Sequence, residues 1–428
     1  MKADIVRGWR YRHNRMIRRR DDNSRTSEMK KLHKKEKRKA NTRFGGRGRQ
    51  RRAVPADLVE EADLVTIKGV RTCGHQFSPA FQDDIVESIR QEHPGDFPPG
   101  PDGRPLYKVL ALSGGGSRGA FGAGYIYGWT VAGTRPVFKL VTGVSSGALV
   151  APFAFLGPEY NQELKEIFTN INARNVFRLR NVFSLLWRDS FAKSKPLARL
   201  LEKYANPPAL RAIARAHARG RRLYVGTTNL DAQCLVVWNM GAIASSDHPE
   251  APSLFQKVLL ASASIPSMFP PVFFDVEARG QLYDEMHVDG EVIAGVFFNG
   301  FMLDLPKARR EVYGEDTAPP PVSAYVICNG KLSSNPEPVG RTLPSITRRA
   351  IMTLNKAHAR DHIYHVSTVL LQRQFDVNYM AIPDDCPLPD DKPGFDSREM
   401  TRLFELGAEM ARSGYPWHKF PPGLDQNV

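Results

Sequence analysis

Cysteine is scarce in this chain: four in 428 residues, Cys73, Cys234, Cys328 and Cys386, widely scattered and without a CxxC pair. That spacing excludes a disulfide framework or a zinc knuckle and fits a reducing compartment. The first 60 residues lack the apolar core of a secretory signal, so none is expected. Asp21-Asp22 and a Lys-rich second half match an Arg-rich transit peptide poorly. Long hydrophobic runs are lacking too. Residues 137–157, with Lys139 as their sole charge, approach the length of a membrane span. A Gly-x-Ser-x-Gly interruption makes them read as strand, turn and buried helix instead. A soluble, cytoplasmic protein is expected, peripheral at most to a membrane. There is no Gly-Lys-Ser/Thr, which removes a nucleoside triphosphatase loop, and no internal repeat.

Acid is scarce relative to base at one end of the chain. Of 60 Lys and Arg against 45 Asp and Glu, residues 1–52 hold 21 bases and five acids, leaving 39 and 40 for the rest. The basic character therefore belongs to the tail. Residues 1–53 have too few apolar side chains for their charge and read as disordered, ending in an Arg/Gly stretch, "FGGRGRQRR". Residues 54–105 read as a linker and extension, with a short helix near "FQDDIVESIRQEH" and a Pro/Gly run from 93 to 105.

From 106 onward strand and helix signals alternate. "LYKVLAL", "VFKLVT", "RLYVGTTNL", "CLVVWNM", "QLYDEMHVDG" and "VSAYVICNG" read as strands. Helices are expected after the first two, over 254–264, over roughly 345–374 and over 397–413. The alternation predicts a three-layer α/β/α domain over 106–428, with a mainly parallel central sheet and a helical C-terminal extension. Chemistry is then expected at the carboxyl ends of the strands.

Two loops carry that chemistry. In "FKLVTGVSSGALV" a strand meets a helix at a sharp turn, where the presented serine needs glycine two residues before and two after. Ser145 has Gly143 and Gly147 at those positions, whereas Ser146 has Val144 and Ala148. "ALSGGGSRGAFGAG" places Gly114, Gly115, Gly116, Ser117, Arg118 and Gly119 between another strand and helix. Its N–H groups suit an anion: either the phosphates of a dinucleotide, whose acidic ribose partner is missing here, or the oxyanion of acyl transfer beside a serine. A serine also needs a base. His287, His358, His362, His365 and His418 follow it without distinctive context, and Asp289 stands at the end of an apolar strand before Gly290.

In this order, "SGGGSRG", "GVSSG", "ASASIPSMFPPV" and "DG" resemble the patatin-like phospholipases over roughly residues 106–300. The resemblance implies a Ser–Asp dyad without histidine, with Ser145 as nucleophile and Asp289 as base. Gly114, Gly115, Gly116, Arg118 and Gly119 would form the oxyanion loop, with Gly143 and Gly147 at the elbow and Gly290 completing the Asp-Gly motif. It also implies hydrolysis of acyl esters of phospholipids or related lipids, without metal or other cofactor. One departure stands out. Glu291 occupies the place of a small residue, where it would raise the pKa of Asp289 if it faces the site.

Two alternatives remain open: a Ser-His-Asp carboxylesterase using a later histidine, and a nucleic-acid-binding protein with an idle hydrolase domain, suggested by the basic tail. The tail also suits an anionic membrane surface. His358, His362 and His365 have the i, i+4, i+7 spacing of metal ligands, but they continue an apolar line and read as packing residues. "NVFRLRNVFSLLWRDSF", residues 175–191, reads equally as a lipid-contact lid or as a core helix with a basic face.

Overall fold

β-branched and aromatic runs bounded by Gly, Pro, Asn and Asp become the strands of one sheet. In the computed structural model the described residues are 51–100, 103–170, 178–179, 192–298, 304–314, 320–334, 336–388 and 395–421. The basic tail up to residue 50, and all of 175–191 except Arg178 and Leu179, lie outside them. Among the described residues the sheet has ten strands: β1 (Asp63–Leu64), β2 (Arg71–Cys73), β3 (Tyr107–Leu112), β4 (Leu140–Val144), β5 (Arg222–Asn229), β6 (Cys234–Asn239), β7 (Val272–Ala278), β8 (Gln281–Asp289), β9 (Val322–Cys328) and β10 (Asp376–Ala381).

The helices that bear on the site and its support are α1 (Pro79–Arg90), α2 (Gly119–Val131), α3 (Ser146–Leu156), α4 (Asn161–Thr169), α5 (Lys195–Tyr204), α6 (Pro207–Ala218), α7 (Met240–Ser245), α8 (Ala251–Ser262), α9 (Leu305–Tyr313), α10 (Leu343–Gln372) and α11 (Ser397–Arg412). Four start by one device: the side chains of Ser78, Asn206, Asp304 and Thr342 accept from a backbone N–H one turn on, with proline in the first positions of the helix. The capping oxygen satisfies an orphan donor, and proline has no N–H to waste there. None of the described helices is long and apolar enough to cross a membrane.

Strand order is β1-β7-β8-β5-β4-β3-β9-β10, with β6 pairing β5 and β2 pairing β6. The β5-β4-β3-β9-β10 block is parallel, as expected. The other strands continue the sheet antiparallel, an extension that the alternation of strand and helix did not announce. Residues 54–105 supply β1, β2 and α1 to this same sheet and core. Helices cover both faces. On one, α2, α3, α4, α8 and α11 bury Phe121, Ile126, Phe155, Phe255 and Phe404 against Leu110, Val141 and Val225. On the other, α1, α9 and α10 bury Phe81, Ile89, Ala308, Ile363 and Leu370 against Val109, Tyr224 and Val326. The three-layer α/β/α fold is present.

The last helix is part of this core. α2 and α11 approach so closely that a Cβ on Gly124, Gly128 or Gly407 would overlap a carbonyl oxygen of the facing helix. Overpacking a rigid backbone contact costs about 1–3 kcal/mol, or more where neither side can retreat. Gly124→Ala is expected to destabilise the fold by at least that amount, seen as a lower urea midpoint with an unchanged slope.

Candidate active site

Two strands meet end to end along one edge of β5. β4 runs parallel to it from Leu140↔Arg222 to Val144↔Gly226, and there it stops. β8 takes over that edge in the antiparallel sense, with Asp289 opposite Thr227. The last residue of β8 therefore faces the first residue beyond β4, which is Ser145. Gly290 closes the junction: a Cβ there would overlap Val144 and the Gly226 carbonyl.

Ser145 sits at φ 53°, ψ −126°, a conformation that a side chain rarely adopts. The turn around it is crowded as the spacing required. A Cβ on Gly143 would lie 2.6 Å from the Gly147 carbonyl oxygen, and one on Gly147 would overlap the carbonyl oxygens of Leu112 and Ser113. The Ser145 hydroxyl donates to Asp289 Oδ2 at 2.6 Å, and both residues are buried. α3 begins at Ser146, so its positive end lies beside the Ser145 hydroxyl.

The end of α8 staples both partners. Ser262 Oγ accepts from the Ser145 N–H at 3.0 Å and donates to the Gly226 carbonyl at 2.7 Å. The Asp289 N–H donates to the Ser264 carbonyl at 2.9 Å. Sequence reasoning quoted this Ala-Ser-Ala-Ser stretch without giving it a task. It missed Asn329 altogether. That side chain donates to the Ser113 carbonyl, accepts from the Gly122 N–H, and packs where a Cβ on Gly115 would fall. Only the Asn-Gly pair at the end of β9 hinted at it.

The glycine loop is divided in its work. The Gly114 N–H is spent on the Gly295 carbonyl, and the Arg118 N–H and Nε on the Gly115 carbonyl. The Gly115 and Gly116 N–H groups take no internal partner among the described residues. Gly119 is where α2 begins, packed against Ser146. On one side of the loop lies an apolar pocket lined by Gly116, Ser145, Leu149, Phe168, Leu200, Phe269 and Met400. A second apolar pocket shares Leu149, Ile167, Leu197 and Leu200 with it and runs on past Tyr160, Tyr204 and Phe255, between α3, α5 and α8. On the loop's other side, Gly114, Gly115, Arg118 and Glu291 border a larger cavity of about 410 Å³ with a mixed polar and apolar lining.

Glu291 is turned inward. Its carboxyl packs against Gly114, where a Cβ would overlap it, next to Ser145. Burial pushes the Asp289 carboxyl well above the usual carboxylate range, and the Glu291 charge pushes it further; the Ser145 hydroxyl and the Glu291 N–H pull the other way. Glu291 itself is raised by burial, opposed by Arg118.

The histidines are engaged elsewhere. Buried His287 pairs with Thr227 Oγ1 and Glu285 Oε2, and Glu285 in turn pairs with Arg71. His358 donates from Nε2 to the Ile293 carbonyl, His362 from Nδ1 to the His358 carbonyl, and their rings meet edge to face. His418 pairs through its backbone with Tyr379 and stacks on its ring. A serine hydroxyl bonded to a buried carboxylate, with unspent N–H donors nearby, can attack an electrophilic carbonyl and hold the resulting oxyanion.

Residues 110–302 match the family model of the patatin-like phospholipases, so the resemblance read from the four motifs holds for that segment. No curated protein matches the sequence. Among solved structures, VipD from Legionella pneumophila is similar at 14% identity and a TM-score of 0.30, over 74% of this chain and 69% of that one. The type III effector protein ExoU is similar at 12% identity and a TM-score of 0.26, over 76% of this chain and 59% of that one.

The paired carboxylates set a pH dependence. A carboxylate must be ionised to accept a proton, so labelling of a serine activated by Asp289 is expected to rise as pH climbs through the titration of that carboxyl. Glu291→Gln removes a like charge, so Asp289 ionises at lower pH and the acid limb moves to lower pH. The rate of fluorophosphonate labelling across pH checks this; an unmoved or alkaline-shifted limb would contradict the electrostatic account.

Proposed function

We propose that the protein is a serine acyl hydrolase of the phospholipase A or lysophospholipase type, acting in lipid degradation through a Ser145–Asp289 dyad. The observation that carries this reading is the 2.6 Å hydrogen bond from Ser145 to buried Asp289, at an elbow opening onto an apolar pocket. Asp289 takes the Ser145 proton as Oγ attacks the ester carbonyl carbon. The carbonyl π electrons move onto oxygen, which the loop N–H groups of Gly115 and Gly116 receive. Collapse of this adduct breaks the ester C–O bond, and Asp289 returns the proton to the departing alcohol. Water, deprotonated in turn by Asp289, then attacks the acyl-enzyme and releases the fatty acid, restoring Ser145.

The apolar pocket at Ser145, about 50 Å³, and its apolar neighbour of about 40 Å³ favour an apolar group beside the serine, as an acyl chain would supply. Gly114 and Arg118 then act as scaffold for the oxyanion loop rather than as its donors, because the Gly114 N–H and the Arg118 N–H and Nε are already committed. The family match supports a lipid substrate. The engaged histidines disfavour the Ser-His-Asp carboxylesterase. The basic tail suits an anionic membrane, which brings a soluble enzyme to its substrate, better than it suits nucleic acid.

Ser145→Ala is expected to abolish hydrolysis of a soluble nitrophenyl ester and fluorophosphonate labelling, with folding intact by circular dichroism. Ser146→Ala is expected to keep substantial activity. Asp289→Asn is expected to lower turnover by roughly three to four orders of magnitude, as loss of an activating group does elsewhere. Equal loss in the two serine variants, or full activity in Asp289→Asn, would remove the dyad.

A further inference from the structure

Helix α10 carries an apolar face that the fold does not use. At 3.6 residues per turn, Ile363, Val366 and Leu370 of its C-terminal half point into the core. Leu343, Ile346, Ala350 and Leu354 recur at i, i+3, i+7 and i+11 on the opposite side, with Ile351 beside them. Leu343 is 79% exposed, Ile346 54%, Ile351 53% and Leu354 68%. An outward ridge of that size is uncommon on a soluble surface and marks a place where something binds.

The charge around the ridge identifies what binds. Residues 337–361 hold Arg341, Arg348, Arg349, Lys356 and Arg360 against two acids, Glu337 and Asp361, and Glu337 pairs with Arg348 and Arg349. Arg348 flanks the ridge on one side, and Arg349, Lys356 and Arg360 on the other. These last three also line the cavity of about 410 Å³ that reaches Gly114, Gly115 and Glu291. The ridge thus runs along the rim of a cavity leading to the catalytic loop. An apolar stripe flanked by cations is the pattern of a helix lying in a bilayer interface, with aliphatic side chains among the acyl chains and cations among the headgroups.

We propose that the N-terminal half of α10 lies on an anionic phospholipid surface and holds the mouth of this cavity against it. The meaning given to the cavity rests on the acyl-hydrolase reading; the binding itself can be measured without turnover.

The test uses the full chain carrying Ser145→Ala, so that no lipid is consumed. Partners are vesicles of phosphatidylcholine, alone or mixed with phosphatidylserine. Co-sedimentation at about 1 M salt, where the Debye length is near 3 Å, removes attraction by the basic tail and leaves apolar insertion. Adding Leu343→Gln, Ile346→Gln, Ile351→Gln and Leu354→Gln together is expected to reduce the partition coefficient about tenfold or more, since each aliphatic side chain contributes independently. All four side chains are exposed, so the melting temperature should hold. At low salt, Arg341→Gln with Lys356→Gln and Arg360→Gln is expected to diminish the preference for phosphatidylserine. Leu354→Trp gives a local readout: its added fluorescence should shift to the blue and be quenched by brominated phosphatidylcholine. Equal vesicle binding with and without the four glutamines, or an unquenched indole in bound protein, would overturn the proposal. So would a change from dimer to monomer on adding the glutamines with vesicle binding unaltered, which would assign the ridge to a second copy of the chain. Failure of the hydrolase reading would appear separately, as the absence of labelling at Ser145.

Discussion

One edge of β5 is shared between two strands, and the site depends on that sharing. β4 and β8 come from opposite directions and stop one residue apart, at Gly226 and Thr227. A strand end has spent its ladder hydrogen bonds, so the chain is free to turn there; a continuous strand offers no such freedom. Placing two ends head to head brings a hydroxyl and a carboxylate from distant parts of the chain within 2.6 Å. Neither partner moves easily, because the Ser145 N–H is held by Ser262 and the Asp289 N–H by the Ser264 carbonyl. A hydrogen bond between groups fixed in this way is held in one geometry.

That precision works against stability. Ser145 holds a backbone conformation worth avoiding, by roughly 1–3 kcal/mol, and it persists because β4, α3 and the close contacts at Gly143 and Gly147 leave no alternative. Asp289 is buried next to a second inward-facing carboxyl, an arrangement that favours the protonated acid over the ion. The surrounding core supplies the compensation. α2, α3 and α11 pack glycine to backbone, and both faces of the sheet are covered, so local strain costs a small part of a large apolar burial.

The glycine loop separates two environments with different physical character. Toward α3 and α5 the walls are aliphatic and aromatic, suited to a hydrocarbon chain. Toward α10 they mix apolar side chains with Arg118, Lys331, Arg349, Lys356, Arg360 and the carboxyl of Glu291. Ser145 lies at that boundary, and the exposed ridge of α10 runs beside its mixed side.

The local steric rules were legible in the sequence. Glycine on either side of Ser145 follows from how tightly a strand can turn into a helix, and that crowding depends on a few neighbouring residues, so 143–147 could be read directly. The parallel block followed from alternating strand and helix signals, and the order of four motifs pointed to the family that residues 110–302 match. Asp289 stood out as a carboxylate at a strand end before a glycine, but its role as base came only through that resemblance, since nothing nearby in the chain tells one strand-end carboxylate from another. Tertiary structure alone decided the rest. It turned Glu291 inward, gave Ser262 and Asn329 their tasks, and added the antiparallel strands, because each of these depends on which distant segments become neighbours. The ridge on α10 was hidden for a related reason. A helix with apolar residues on its core side in one half and on its outer side in the other shows no single periodic face, and only packing reveals which side is left uncovered.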